Sequence, residues 1–168
     1  MFSCCKKDKK SGMYDRVFKI ARQEMIKTEG YHLRVYLDSL GKPTVGIGHL
    51  VRPEDNLKVG DTITTNRVEG FFRRDIRNAI IHAMNQAEEC GEFEDDFVMA
   101  LTQVNFQLGV NWPKEWPNTY AHLKAGRLQK VIDIVMGSLW HRQTPKRTTA
   151  FKMALLKEIK ENNRKVVV

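Results

Sequence analysis

Apolar positions step along most of the chain in threes and fours, the spacing of one helical face. Met13, Val17, Ile20 and Ala21, Met25 and Thr28 predict an amphipathic helix that stops at Gly30. The pattern then changes. Tyr31 to Leu50 is rich in β-branched and aromatic residues and broken by turn residues. Asp38-Ser39-Leu40-Gly41 predicts a turn, and 42–48 the returning strand of a small antiparallel hairpin sheet. Arg52 to Asp61 is polar and irregular. Thr64 can cap a long helix striped by Val68, Phe71 and Phe72, Asp75 and Ile76, Ala79 and Ile80, and Ala83.

Glu92 to Asp96 reads as an acidic helix start, and Phe97 to Leu108 is apolar nearly all round, which predicts a buried central helix ending at Gly109. Trp112-Pro113 and Trp116-Pro117 predict a turn region, with Asn118 or Thr119 capping a helix through Leu123. A further helix is expected over Leu128 to Trp140, and a last one opens at Thr144-Pro145. The order of elements predicts an α+β fold of two lobes, mostly α. A small antiparallel sheet lobe (13–63) and a larger helical lobe (92–160) are joined by a long helix (64–83). Residues 1–12 read as a flexible extension and 161–168 as a tail.

Composition and charge narrow the partners. The chain has 168 residues and a net charge of +8, of which 1–12 carry +3 and 157–168 carry +2. A basic chain is drawn to polyanions in general. Nucleic-acid binding rests on charge alone here and is not expected. No apolar run approaches the roughly 20 residues that cross a bilayer, and 1–12 lack the apolar core of a signal peptide. A soluble, cytosolically made monomer without stable membrane insertion is expected. Cys4, Cys5 and Cys90 lack metal-ligand spacing, and His82, His122 and His141 lack partners at such spacing, so no metal or cofactor is expected.

Two carboxylates stand out. Glu29 lies at a helix end and Asp38 at a sheet turn, so they can face each other across a groove. Glycoside hydrolysis needs such a pair, one protonated and one ionised. Glu29, leaving an apolar helix, suits the protonated role, and Asp38, in an open polar turn, the ionised one. A Glu and an Asp nine positions apart are otherwise ordinary surface charges.

The string around them is more specific. Glu29-Gly30, then Arg34-x-Tyr36-x-Asp38, a glycine turn, and Thr44-x-Gly46-x-Gly48-His49 resemble the phage-type lysozymes, the muramidases of glycoside hydrolase family 24. Downstream, Asn105 to Gly109, Asn118-Thr119 and Trp140-x-x-Gln143-Thr144-Pro145-x-Arg147 fall where the T-even phage enzymes carry similar groups. The resemblance implies a lysozyme-like fold and cleavage of the β-1,4 bond between N-acetylmuramic acid and N-acetylglucosamine in peptidoglycan glycan strands. It implies Glu29 as general acid, Asp38 as second carboxylate, and Thr44 as holder of the attacking water. Inversion asks for about 6.5–9.5 Å between the two carboxyl groups. Arg147 matches a cation that pairs with the catalytic Glu, and His49 with Asp75 a buried structural pair. Leu50, Phe106, Gln107, Thr119 and Trp140 match groove positions; for the tryptophans, packing competes with sugar stacking. Ile134 replaces a polar groove residue, and 50–64 is shorter than in the T-even enzymes. Action at the wall implies release from a host cytoplasm at lysis or assembly into a phage particle. The rival readings are a silent wall-binding module of the same fold and a transglycosylase leaving anhydro sugar ends.

Overall fold

The computed structural model describes residues 3–91 and 94–166. In chain order the elements are α1 (Ser3–Glu29), β1 (His32–Leu37), β2 (Pro43–Gly46), β3 (His49–Leu50), a 3-10 turn (Pro53–Asp55), α2 (Thr65–Cys90), α3 (Asp95–Leu108), α4 (Trp112–Glu115), α5 (Pro117–Lys124), α6 (Leu128–Met136), α7 (Leu139–Gln143) and α8 (Pro145–Val166). This is the expected α+β class, with one three-stranded antiparallel sheet in the order β1-β2-β3. The chain forms two compact units, 18–78 and 1–17 with 79–168. Both α1 and α2 therefore contribute to each unit.

In the 18–78 unit the sheet grows from turn chemistry. Asp38 Oδ1 accepts from the Leu40 and Lys42 amides, both at 2.8 Å, and closes the β1–β2 turn. Gly46 and Gly48 adopt φ of +68° and +69°, open to glycine at little cost, and this reverses the chain into β3. The segment after the 3-10 turn returns along β1, where Val35 N donates to Asp61 O and Ile63 N to Leu33 O. Val35, Val45, Ile47 and Ile63 are buried with Val68, Phe72 and Ile76 of α2. Thr64 Oγ1 accepts from Arg67 N at 3.3 Å, the expected cap.

The other unit is helical around Phe97, Leu101, Leu123, Val131 and Leu155, all buried. Asn105 is the polar hub of this unit. Its amide exchanges two 3.1 Å bonds with Gln86, donates to Ala79 O, and accepts from Trp112 Nε1 at 2.9 Å.

Several boundaries differ from expectation. The extension foreseen at 1–12 is helical from Ser3, continuous with α1. In the same unit Lys10 pairs with Glu88 at 2.7 Å, and Arg16 reaches both carboxylate oxygens of Asp95. The helix foreseen to end at 83 continues to Cys90, its buried face extended by Gln86 and Ala87. The tail foreseen at 161–168 is helical to Val166. The single helix foreseen over Leu128 to Trp140 is broken after Met136, because Ser138 Oγ accepts from His141 N and starts α7 anew. The start foreseen at Glu92 lies outside the described residues; α3 begins at Asp95.

Candidate active site

Glu29 is the last residue of α1, where Gly30 N donates to Ile26 O at 2.9 Å and takes φ +81°. That ending aims the Glu29 side chain at the β2–β3 turn. A Cβ at Gly48 would stand 3.0 Å from Glu29 Cγ on a backbone at φ +69°, so any larger residue would strain the turn and push on the Glu29 side chain. Glu29 Oε1 is buried.

Asp38 follows β1, and its Oδ1 is committed to the turn amides. No described residue hydrogen-bonds Oδ2. Thr44 is buried, and its Oγ1 donates to Lys42 O at 3.1 Å. With the hydroxyl proton used in that bond, the oxygen's lone pairs remain for a water to donate to. The ladder aligns Tyr36 with Thr44 and Thr44 with Leu50, so these three share one face of the sheet. Leu50 is 47% exposed there.

His49 sits behind this row, buried, with Nδ1 2.5 Å from Asp75 Oδ2 and Nε2 2.9 Å from Asp55 Oδ2. With a carboxylate on each ring nitrogen, only the imidazolium can donate at both. Burial works against that charge, but the bonds to Asp75 and Asp55 and their charges outweigh it and raise the imidazole pKa. Burial also acts to raise the Asp55 carboxyl. The Arg52 amide at 2.8 Å, His49, and Arg74 at 3.2 Å prevail, and its pKa falls to about 2. Phe71 stacks on the imidazole with ring centroids 4.2 Å apart. The His49–Asp75 pair is as expected; Asp55 is an addition. The sequence carried one signal for it, a Pro-Glu-Asp turn just beyond His49.

The remaining predicted residues belong to the helical unit. Phe106 and Gln107 are half-buried at the end of α3, and Thr119 is buried within α5. Trp140 corrects its assignment to sugar contact. It is buried, edge-on to Trp116 and tilted against Phe151, and its Nε1 donates to Gln107 Oε1 at 3.0 Å. It is a packing residue that fixes Gln107. Arg147 is half-buried in the first turn of α8, and burial lowers its guanidinium pKa. Among the described residues no group of three His, Cys, Asp or Glu could hold a metal ion, and no helix is long and apolar enough to cross a membrane.

Residues 26–153 match the family model described as phage lysozyme. The chain is 28% identical over 130 residues to the peptidoglycan hydrolase gp36 of Pseudomonas phage phiKMV, covering 77% of this chain and 14% of that protein. It is 27% identical over 164 residues to the pre-baseplate central spike protein Gp5 of Enterobacteria phage T4, covering 79% and 27%. Against "Probable T4-type lysozyme 2" of Dictyostelium discoideum the identity is 24% over 165 residues, covering 82% and 97%. The chain thus spans about a seventh and about a quarter of the two phage relatives, and nearly all of the third.

Proposed function

Given that the chain belongs to the phage lysozyme family, we propose that it is a peptidoglycan muramidase acting through Glu29, Asp38 and Thr44. Glu29 donates its proton to the glycosidic oxygen between N-acetylmuramic acid and N-acetylglucosamine as the anomeric C–O bond breaks. A water attacks the anomeric carbon from the opposite face and passes its proton to Asp38, so the configuration inverts. Thr44 Oγ1, its own proton engaged with Lys42 O, accepts a hydrogen bond from that water and aims a lone pair at carbon. Two carboxyl groups and a water suffice, so no cofactor enters.

The observation that carries this reading is the division of labour in the 18–78 unit: one acid seated against Gly48, the other oriented by turn amides with one oxygen left to a ligand. The substrate is the glycan strand of the wall, and the protein works as a monomeric endolysin released from the host cytoplasm to the wall. The test is muropeptide release from purified sacculi by wild type, Glu29→Gln and Asp38→Asn. Wild type should give reducing ends and both variants next to none. Anhydro ends would replace hydrolysis by transglycosylation. Equal release by Glu29→Gln would remove Glu29 from the chemistry.

A further inference from the structure

The exposed face of α2 between Arg67 and Asn78 carries Arg67, Arg73, Arg74 and Arg77, and Arg52 lies beside it through Asp75 at 3.6 Å. The only acids in this stretch are Glu69 and Asp75, and both are engaged. Arg22 holds Glu69 through two bonds of 2.9 and 2.6 Å, and His49 holds Asp75. Of the two acids in the 3-10 turn, Asp55 is buried under His49 and Arg74 and Glu54 is exposed. Asp55 and Asp75 are shared between His49, Arg74 at 3.2 and 3.7 Å and, for Asp75, Arg52 at 3.6 Å, so five guanidinium groups stand beside two carboxylates.

Three of these cations are also held against aromatic rings. Arg67 and Arg74 lie 5.3 and 5.1 Å from the centroid of the Phe71 ring, and Arg73 lies 4.8 Å from that of Phe18. Ring contact restricts these three side chains and lowers the entropy lost when their N–H groups meet an anion. Arg77 makes no ion pair among the described residues, and Arg73 acts on Glu69 through its charge without a salt-bridge contact. A planar fork donates two parallel bonds to a carboxylate. A row of such forks on a convex helix face fits an extended anionic polymer, not a small ligand.

We propose that the Arg67–Arg77 face of α2 is a second binding surface for the wall, engaging carboxylate groups of the peptides that project from the glycan strands. This rests on the muramidase reading, because it takes the substrate mesh itself as the partner: its sugars are neutral and its charge lies on the peptides. The face would hold the enzyme on the mesh between cleavages without touching the scissile bond.

The test is co-sedimentation with purified, phosphate-free sacculi. A Glu29→Gln background leaves the sacculi intact. Arg73→Glu with Arg77→Glu should weaken retention by about tenfold or more at low salt and flatten its salt dependence. Lysine at both positions should retain most of it. Arg77→Glu alone, which removes no ring contact, should show part of the loss. Amidation of the sacculus carboxylates should release the parent protein to the level of the reversed variant. Undiminished retention of the double variant overturns the proposal. So does a loss seen equally on amidated sacculi. Vesicles of anionic phospholipid form a separate arm, and a loss confined to them reassigns the face to a membrane. Muropeptide release by the wild type, measured on the same sacculi, reports independently on the muramidase reading.

Discussion

Gly48 and Glu29 are in steric contact through a missing side chain. A methyl group at 48 would stand 3.0 Å from Glu29 Cγ, on a backbone at φ +69°. Gly48→Ala should therefore do two separable things. The left-handed backbone costs about 1–2 kcal/mol of stability. The new methyl also displaces the acid, and muropeptide release should fall at least about tenfold, since misplacement by about 1 Å can cost two orders of magnitude. Gly126→Ala is the control: φ +67°, with nothing within 4 Å of its Cβ. It should show a similar loss of stability and near-normal turnover. Comparable turnover in both variants would show that the Gly48 contact does not position Glu29.

Asp38 serves the turn and the reaction with different atoms. Asp38→Asn keeps an oxygen to accept from Leu40 N and Lys42 N, so its melting temperature should stay near wild type. Loss of a general base should still cut turnover by about a hundredfold or more. Asp38→Ala removes both functions and should add about 1 kcal/mol of destabilisation. If the alanine variant melts with wild type, the turn bonds carry no weight.

How much of this was legible in the sequence depended on whether a signal was local and periodic. The hairpin followed from its glycines and β-branched residues, and the candidate acids and Thr44 were found by motif. The break between α6 and α7 was hidden because Leu128, Val135 and Trp140 are buried on both sides of it; the apolar spacing runs on, and only Ser138 marks the restart. The first turns of α1 were missed because lysines give no apolar stripe. Asp55 was passed over in a polar stretch because its role depends on a 3-10 turn ending at Asn56 with φ +51°, which brings the carboxylate under His49. Packing and sugar stacking stay open for Trp140 in the sequence because a tryptophan's burial cannot be read from its neighbours along the chain.

The His49 cluster sets an acid-side optimum of stability. The His49 pKa is raised by folding, so its contribution is complete below the unfolded value near 6.5 and is lost as pH rises through the folded value. Asp55 is lowered from 3.8 to about 2, so its contribution is present above pH 4 and is lost as pH falls toward 2. That shift corresponds to roughly 2 kcal/mol. Melting temperature followed from pH 2 to 9 should peak between these limits. Asp55→Asn should lower the peak, remove part of the fall between pH 4 and 2, and bring the alkaline decline to lower pH. Parallel profiles for wild type and variant would show that Asp55 is not coupled to His49.

The Asn105 hub tests the helical unit without touching the proposed chemistry. Its amide satisfies Gln86, Ala79 O and Trp112 Nε1 at once, in a buried setting. Asn105→Leu is close in volume but strands the Gln86 amide and the indole N–H. Buried polar groups left without partners cost about 1–3 kcal/mol each, so urea denaturation should show a loss of at least about 2 kcal/mol. Trp112→Phe removes only the indole donor, together with some packing, and should cost less. In the Asn105→Leu background the penalty for Trp112→Phe should shrink, because the indole N–H has no partner left to lose. Additive losses in that double-mutant cycle would mean that the 2.9 Å bond contributes nothing and that the hub stabilises through packing alone.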